Sequence, residues 1–169
     1  GMPIAATYVM LVILIAPAMT AAGILPMAAH LFMNFFAAMS FVTPPVAIAA
    51  YVAAGIANCD PIKVGFIAVR LGIAAYLVPF YFAYRPALLL QGSPSEIVYA
   101  TVLATLGILA AAMALAGFAF RSLNLVQRVL MGIGSLLLLW PETLFDAVGV
   151  GLFSVMLFWN WFQQRRVKS

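Results

Sequence analysis

Two aliphatic hydroxyls and two adjacent prolines lie within an apolar stretch, "SFVTPPVAIAAY", at residues 40–51. The hydroxyls belong to Ser40 and Thr43, and the prolines are Pro44 and Pro45. Consecutive prolines remove two backbone donors and push the preceding residue out of the α region. The pattern therefore predicts a true break at residues 40–45 between two helical segments.

A helix broken at membrane depth presents backbone groups that can bind ions. The last carbonyls before the break, those of residues 37–40, lie at the negative end of the helix dipole and suit a desolvated Na⁺. Beyond the break, Thr43 is predicted as the N-cap, with Pro44 at the first helical position. The N–H groups after Pro45 then favour an anion. The alternative is a bent helix whose hydroxyls merely satisfy backbone carbonyls.

The composition places this break in a membrane protein. Of 169 residues, 67% are hydrophobic and only 7% are charged, with a mean hydropathy of +1.17. Soluble domains contain about 25% charged residues, so soluble enzymes are excluded. The net charge of +4 is scattered and marks topology rather than a nucleic-acid surface.

Catalytic and metal-binding patterns are not found in the sequence. A single cysteine, Cys59, excludes an intramolecular disulfide and a cysteine-built metal cluster. His30 lacks a second histidine or carboxylate at ligand spacing and is interpreted as a packing or interfacial residue. We therefore predict that the chain is not an enzyme and that it has no cofactor, the only bound ion expected being the Na⁺ at the helix break.

The fold class predicted is an all-α integral membrane protein with a re-entrant helical hairpin. Apolar segments at 4–22, 62–84 and 97–120 are long enough to span a bilayer, which needs about 20 residues. Pro17 is predicted to kink the first segment, and Ser93 or Ser95 to cap the third. The segments 27–39 and 46–57 are each too short, so they predict a re-entrant hairpin over 27–58. A single long helix kinked at the prolines is the alternative.

The C-terminal region is predicted to contain two short tilted helices or one broken helix. An apolar run at 129–140 is followed by the break Pro141-Glu142-Thr143 and a second run to Phe162. Glu142 and Asp146 are interpreted as markers of a loop at the water surface. Four glycines predict close helix packing; they are Gly132, Gly134, Gly149 and Gly151.

Further polar residues give weaker signals. Asn34 lies two turns before the predicted break and is a candidate substrate contact. Arg70 is predicted to snorkel to the interface or to serve a substrate. Three tyrosines are interpreted as an interfacial belt; they are Tyr76, Tyr81 and Tyr84.

Residues 1–90 resemble the final third of the large membrane subunit of TRAP (tripartite ATP-independent periplasmic) transporters, and are most similar to the TAXI-type, often fused, permeases. Residues 91–169 resemble the extra C-terminal helices of that branch only loosely. The match is carried by Gly1-Met2-Pro3, Ala16-Pro17-Ala18, Ala29-His30-Leu31-Phe32, Thr43-Pro44-Pro45-Val46-Ala47, Ala49-Ala50-Tyr51, Gly55-Ile56-Ala57, Asp60-Pro61 and Arg85-Pro86-Ala87-Leu88-Leu89-Leu90.

The resemblance implies an inverted-repeat, elevator-type transporter driven by sodium. Residues 1–90 would be the second-repeat part of its transport domain, and residues 91–169 would be accessory transmembrane helices. The implied substrate contacts are Thr43, Pro44, Pro45 and Val46, to which Asn34 is added. The implied Na⁺ site is Gly1, Met2, Ser40 and Thr43. The chain departs from the family at Ile4-Ala5-Ala6, where hydroxyl residues are usual.

The implied function is import of organic acid anions delivered by a periplasmic solute-binding protein. Further expected partners are a small membrane subunit or an N-terminal part of the permease, in the inner membrane of a bacterium. Since only one hairpin is predicted, residues 1–169 alone are expected to carry no substrate. The alternative is a small non-transporting membrane protein or permease remnant with a structural or assembly role.

Overall fold

The computed structural model describes residues 4–168, and the side chains of residues 4–163. Within that part of the chain the secondary structure is helical, apart from an isolated antiparallel bridge between Phe118 and Ser122. The predicted all-α fold is confirmed. The α-helices are α1 (Ile4–Ala21), α2 (Pro26–Met39), α3 (Ile48–Ala57), α4 (Pro61–Leu71), α5 (Ile73–Tyr84), α6 (Pro94–Ala116), α7 (Leu125–Leu137) and α8 (Thr143–Lys168), with a 3₁₀ turn at Pro86–Leu89.

Three segments are long and apolar enough to cross a membrane: α1, α6 and the part of α8 at Thr143–Gln163. A fourth span is possible if α3 and α4 are counted together, although their axes turn by 118° at the break between them. The chain is therefore a multi-pass membrane protein.

The chain divides after Leu89 into two compact units. In the first unit, α2 packs against α1 and α5, while α3 packs against α4. Small residues on one face of α2, Ala29 and Ala37, are fully buried and let neighbouring helices approach closely. Aromatic rings fill the α2–α5 interface: Phe32 lies edge-on to Phe80, with ring centroids 5.1 Å apart.

The predicted break between two short helices is confirmed, because α2 ends at Met39 and α3 begins at Ile48. The two halves contact different helices, and the sharp reversal of the chain comes after α3. Asn58 ends that helix with a left-handed φ of 51°, a conformation that asparagine tolerates. Re-entry of residues 27–58 on one side of the membrane stays a prediction.

The prediction of one continuous helix over 62–84 is wrong, because the helix is interrupted at Gly72. The Gly72 N–H closes α4 by bonding to the Ala68 carbonyl, and its own carbonyl accepts the N–H of Ala75 at the start of α5. Glycine is a poor helix former. A Cβ at this position would also meet the Ala68 carbonyl oxygen at 3.1 Å.

Two helix starts follow from local side chains, as the sequence indicates. Asp60 caps α4, its Oδ1 accepting the N–H groups of Ile62 at 2.9 Å and Lys63 at 3.1 Å. Ser93, rather than Ser95, caps α6 in a capping box with Glu96. Pro61 and Pro94 occupy the first helical turns, where a missing N–H costs nothing.

In the second unit, α6, α7 and α8 pack around one another. The predicted break at Pro141-Glu142-Thr143 is confirmed, because α7 ends at Leu137 and α8 begins at Thr143. The prediction of a short last helix is wrong, because α8 is one long helix that continues past the apolar run. Polar residues that favour helix, including Gln163 and Gln164, extend it beyond Phe162. Hydropathy marks the apolar run, whereas backbone propensity decides where the helix ends.

Close helix packing at glycine is confirmed at two of the four predicted positions. A Cβ on Gly149 would lie 2.7 Å from Leu138 Cγ and 3.1 Å from the Gly134 carbonyl oxygen. Gly134 in turn lies against Gly149 and α8. The prediction is wrong for Gly132 and Gly151, where an added Cβ would meet nothing within 4 Å.

Candidate functional site

The break between α2 and α3 borders an open cavity of about 380 Å³, which we call the tip cavity. The structure brings together five of the residues predicted for the site: Ser40, Thr43, Pro44, Pro45 and Val46 all line it. The remaining lining residues are Phe36, Met39 and Tyr76. All eight are uncharged, so the polar character of the cavity comes from hydroxyls and from the backbone.

The end of α2 tightens into a turn that uses most of its last carbonyls. The Ala37 carbonyl accepts the Ser40 hydroxyl at 2.7 Å, and the Ala38 carbonyl accepts the Phe41 N–H at 3.2 Å. The Met39 carbonyl accepts the N–H groups of Val42 and Thr43 and the Thr43 hydroxyl. These three carbonyls, predicted to suit Na⁺, are therefore already occupied by donors from the turn that follows α2, because the chain closes tight turns before it reaches the prolines.

Thr43 is not the N-cap of α3, contrary to prediction. The N-cap is Ala47, which has a left-handed φ of 33° and caps with no side chain. Thr43 instead turns its hydroxyl back to the carbonyl four residues earlier, a bond that threonine commonly makes. The helix starts only at Ile48 because residues 43–47 form a turn of their own, closed by the Ala47 N–H to the Thr43 carbonyl at 3.0 Å.

The start of α3 retains donors near the tip cavity. Ala49 donates its N–H to the Phe41 carbonyl at 3.0 Å. Within the described residues, the N–H groups of Val46 and Ile48 have no hydrogen-bond acceptor. The positive end of the α3 dipole therefore lies at the break, as predicted, although it begins at Ile48 rather than at Pro44.

Gly65 on α4 allows the tip to pack closely, a role that the sequence reading missed. A Cβ at Gly65 would lie 2.6 Å from Pro44 Cγ and 3.7 Å from Ala47 Cβ. The Pro44–Pro45 peptide is cis. The signal available in the sequence was an isolated glycine inside an apolar helix, which usually has a packing reason.

Tyr76 on α5 contacts the tip directly, and its interpretation as an interfacial-belt residue is wrong. Its hydroxyl lies 2.6 Å from Thr43 Oγ1, and its ring is edge-on to Phe36 with centroids 6.3 Å apart. The belt prediction is also wrong for Tyr81, which is only 1% exposed. Tyr84 is exposed at the end of α5.

A second tyrosine contacts the tip from α3. The Tyr51 hydroxyl donates to the Pro45 carbonyl. Pro44, Pro45 and Tyr51 also line a smaller cavity of about 290 Å³ with Ile62 and Phe66. The tip is therefore bonded to α5 on one side and to α3 on the other.

One described residue of the predicted site is not brought to the tip cavity, and two others are not described. Asn34 is exposed on α2 and does not line it. Gly1 and Met2 lie outside the described residues, so their part in a Na⁺ site stays a prediction. His30 shares a hydrogen bond of 2.8 Å with the Tyr8 hydroxyl, in keeping with a packing role.

Of the two acids at the break between α7 and α8, both predicted to mark a surface loop, only Glu142 is exposed. Asp146 is only 3% exposed, and its carboxylate accepts the Tyr99 hydroxyl at 3.0 Å. Its interpretation as a surface-loop residue is therefore wrong, because it lies in the first turn of α8 facing α6.

Comparison with known proteins finds a family whose matched region contains the tip. Residues 1–97 match the family described as "Tripartite ATP-independent periplasmic transporter, DctM component". The matched residues include the whole tip cavity, with both Thr43 and Tyr76. Neither the curated proteins nor the solved structures contain a match to this chain.

Proposed function

This chain belongs to the DctM component family of tripartite ATP-independent periplasmic transporters, and on that premise we propose that its tip cavity is part of the site of a sodium-coupled permease for organic acid anions. The observation that carries the proposal is the cavity itself. It lies at a helix break inside an apolar helical unit, and among mostly apolar lining side chains it presents the hydroxyls of Ser40, Thr43 and Tyr76 together with the backbone of the break.

The α2 side of the cavity suits a desolvated cation. The Ser40 carbonyl, at the negative end of α2, accepts no hydrogen bond from the described residues. The Thr43 hydroxyl oxygen lies in the same cavity. Sodium in secondary transporters is coordinated by such unwound carbonyls and half-helix C-terminal ends.

The α3 side suits the carboxylate of a substrate. The N–H groups of Val46 and Ile48 combine with the positive end of the α3 dipole, and anions bind at such helix starts. Cation and anion would then be bound next to each other, so that each lowers the electrostatic cost of binding the other. This mutual attraction provides a physical basis for sodium coupling.

The proposed partners follow from membership of the family. A periplasmic solute-binding protein would deliver the anion, and a small membrane subunit or an N-terminal part of the permease would complete the transporter. The proposed location is the inner membrane of a bacterium. Residues 91–169 would be accessory helices in this arrangement.

The test is uptake by the complete transporter in liposomes, with its binding protein outside and an inward sodium gradient. We expect at least one acid in a panel of radiolabelled mono- and dicarboxylates to accumulate, and accumulation to stop when choline replaces sodium or the binding protein is omitted. Equal uptake in choline would contradict sodium coupling. Failure of every acid in the panel under full conditions would favour the non-transporting alternative.

A further inference from the structure

The hydroxyl protons at the tip cavity are already committed to the protein. The Ser40 hydroxyl donates to the Ala37 carbonyl at 2.7 Å. The Thr43 hydroxyl donates to the Met39 carbonyl. Each hydroxyl has one proton, and a carbonyl can only accept. Both oxygens can therefore offer a ligand only lone pairs.

This arrangement fixes the direction of the hydrogen bond between Thr43 and Tyr76. The two hydroxyl oxygens are 2.6 Å apart. Because the proton of Thr43 is used by Met39, Tyr76 must be the donor in this pair. The phenol proton of Tyr76 is then also committed, and the lone pairs of its oxygen remain at the cavity lining.

The ring of Tyr76 is held by aromatic packing rather than by its hydroxyl alone. Phe36 meets it edge-on, and Phe36 also packs edge-on against Phe80, with centroids 6.0 Å apart. These contacts tie α5 to α2 and restrict the ring to one orientation. The phenol is therefore pre-organised to hold Thr43.

We propose that Tyr76 is a positioning residue of the coupling-ion site, which acts by donating its proton to Thr43. The pair presents acceptor oxygens alone, so this side of the cavity favours a small cation and disfavours a carboxylate. The carboxylate is then directed to the N–H groups at the start of α3. This inference rests on the proposed function and adds the residue that gives the site its cation preference.

The test measures sodium binding without requiring the substrate. The melting temperature of the complete permease, purified in detergent, is measured at increasing concentrations of NaCl, with choline chloride added to keep the ionic strength constant. A ligand that binds only the folded state raises the melting temperature in a saturable way. The variant Tyr76→Phe keeps the ring and its packing while removing the donated proton. Tyr84→Phe, on the same helix and exposed, is the matched control.

We expect the half-saturating sodium concentration to rise about five- to tenfold in Tyr76→Phe, as for loss of one hydrogen bond. In choline alone its melting temperature should change by no more than about 4 °C, because the aromatic contacts remain. Tyr84→Phe should match the wild type. A Thr43→Val/Tyr76→Phe double variant should be no weaker than Thr43→Val, since the phenol acts through Thr43.

The outcomes separate this inference from the function on which it rests. A normal sodium response in Tyr76→Phe overturns the positioning role and leaves the proposed function standing. A wild-type protein that does not respond to sodium contradicts sodium coupling, and this inference with it. If Tyr76→Phe does not fold, Thr43→Ser and Thr43→Val test the pair from the other side: serine should keep the response and valine should weaken it, while equal responses would overturn the role.

Discussion

Two of the helix breaks that contain prolines, at residues 40–47 in the first unit and at 138–142 in the second, differ in the groups they leave available to a ligand. Both border cavities, and the one at the second break is larger, about 480 Å³ against about 380 Å³. The larger cavity is lined by apolar and aromatic side chains and Glu142. The tip cavity is also mostly apolar, but its polar groups are hydroxyls and the backbone of the break, and none of its lining residues is charged. A break with a cavity is therefore not by itself a binding site.

The second unit shows where polar groups go when they serve structure. The buried Asn160 side chain accepts the N–H groups of Phe120 at 3.1 Å and Arg121 at 3.0 Å, which fixes the loop before α7. Arg128 donates to the carbonyls of Ala114 and Leu115 and so completes the end of α6. Both side chains form hydrogen bonds with backbone groups at the ends of helices or in loops. At the tip, by contrast, backbone groups and hydroxyl lone pairs remain for a ligand.

The largest effect should come from removing the prolines of the tip. In the complete transporter, Pro44→Ala combined with Pro45→Ala restores two backbone donors and lets α2 and α3 extend toward each other. We expect sodium-driven uptake at matched expression to fall by more than about tenfold, equivalent to about 1.4 kcal/mol.

The matched control for this change is Pro141→Ala at the second break, which should leave uptake close to that of the wild type. Wild-type kinetics in the double-alanine protein would mean that the tip prolines only shape a helix. A similar loss in Pro141→Ala would remove the distinction between the two breaks.

A smaller effect is expected from filling the space under Pro44. Gly65→Ala places a Cβ 2.6 Å from Pro44 Cγ, well inside van der Waals contact, and overpacking of this kind costs about 1–3 kcal/mol. Gly132→Ala is the control, because it gives the same gain in helix propensity at a position where the added Cβ meets no atom within 4 Å. The melting temperature of Gly65→Ala should lie roughly 2–12 °C below that of Gly132→Ala.

Gly149→Ala is a second control, which distinguishes a loss of stability from a loss of sodium binding. Its Cβ would meet Leu138 Cγ at 2.7 Å in the second unit, so it should also lower the melting temperature. Only Gly65→Ala should in addition weaken the sodium response, because only that change displaces the tip. Equal sodium responses in the two variants would show that the position of Pro44 does not matter to the site.

The features that sequence reasoning predicts are those determined by neighbouring residues. Two adjacent prolines break a helix wherever they occur, and Asp60 and Ser93 cap helices through atoms two or three residues away. The break, these caps and the spans α1 and α6 were therefore predictable. Thr43 shows the limit of such local prediction. A threonine before a proline can cap the helix that follows, or it can donate its hydroxyl to a carbonyl of the helix that precedes it, and the local sequence does not distinguish the two.

What could not be predicted depends on residues far apart in the chain. Tyr76 is 33 residues from Thr43, and nothing in its local sequence distinguishes it from the exposed Tyr84. Asp146 is buried because Tyr99, 47 residues away, supplies a donor. The close packing at Gly65 depends on the ring of Pro44, which lies against it from another segment of the chain. Such contacts are set by how helices pack, and hydropathy carries little information about that.

The central claim is that the tip, and not the second break, binds the coupling ion, and cysteine accessibility tests it most directly. In the complete permease, the exposed Cys59 is replaced by serine, and a single cysteine is placed at Val46 or, as the control, at Trp140, both exposed beside their cavities. We predict that sodium, compared with choline at equal ionic strength, slows modification by a small thiol reagent at position 46 and leaves position 140 unchanged. Equal rates with and without sodium at position 46, or protection at position 140 alone, would contradict the account.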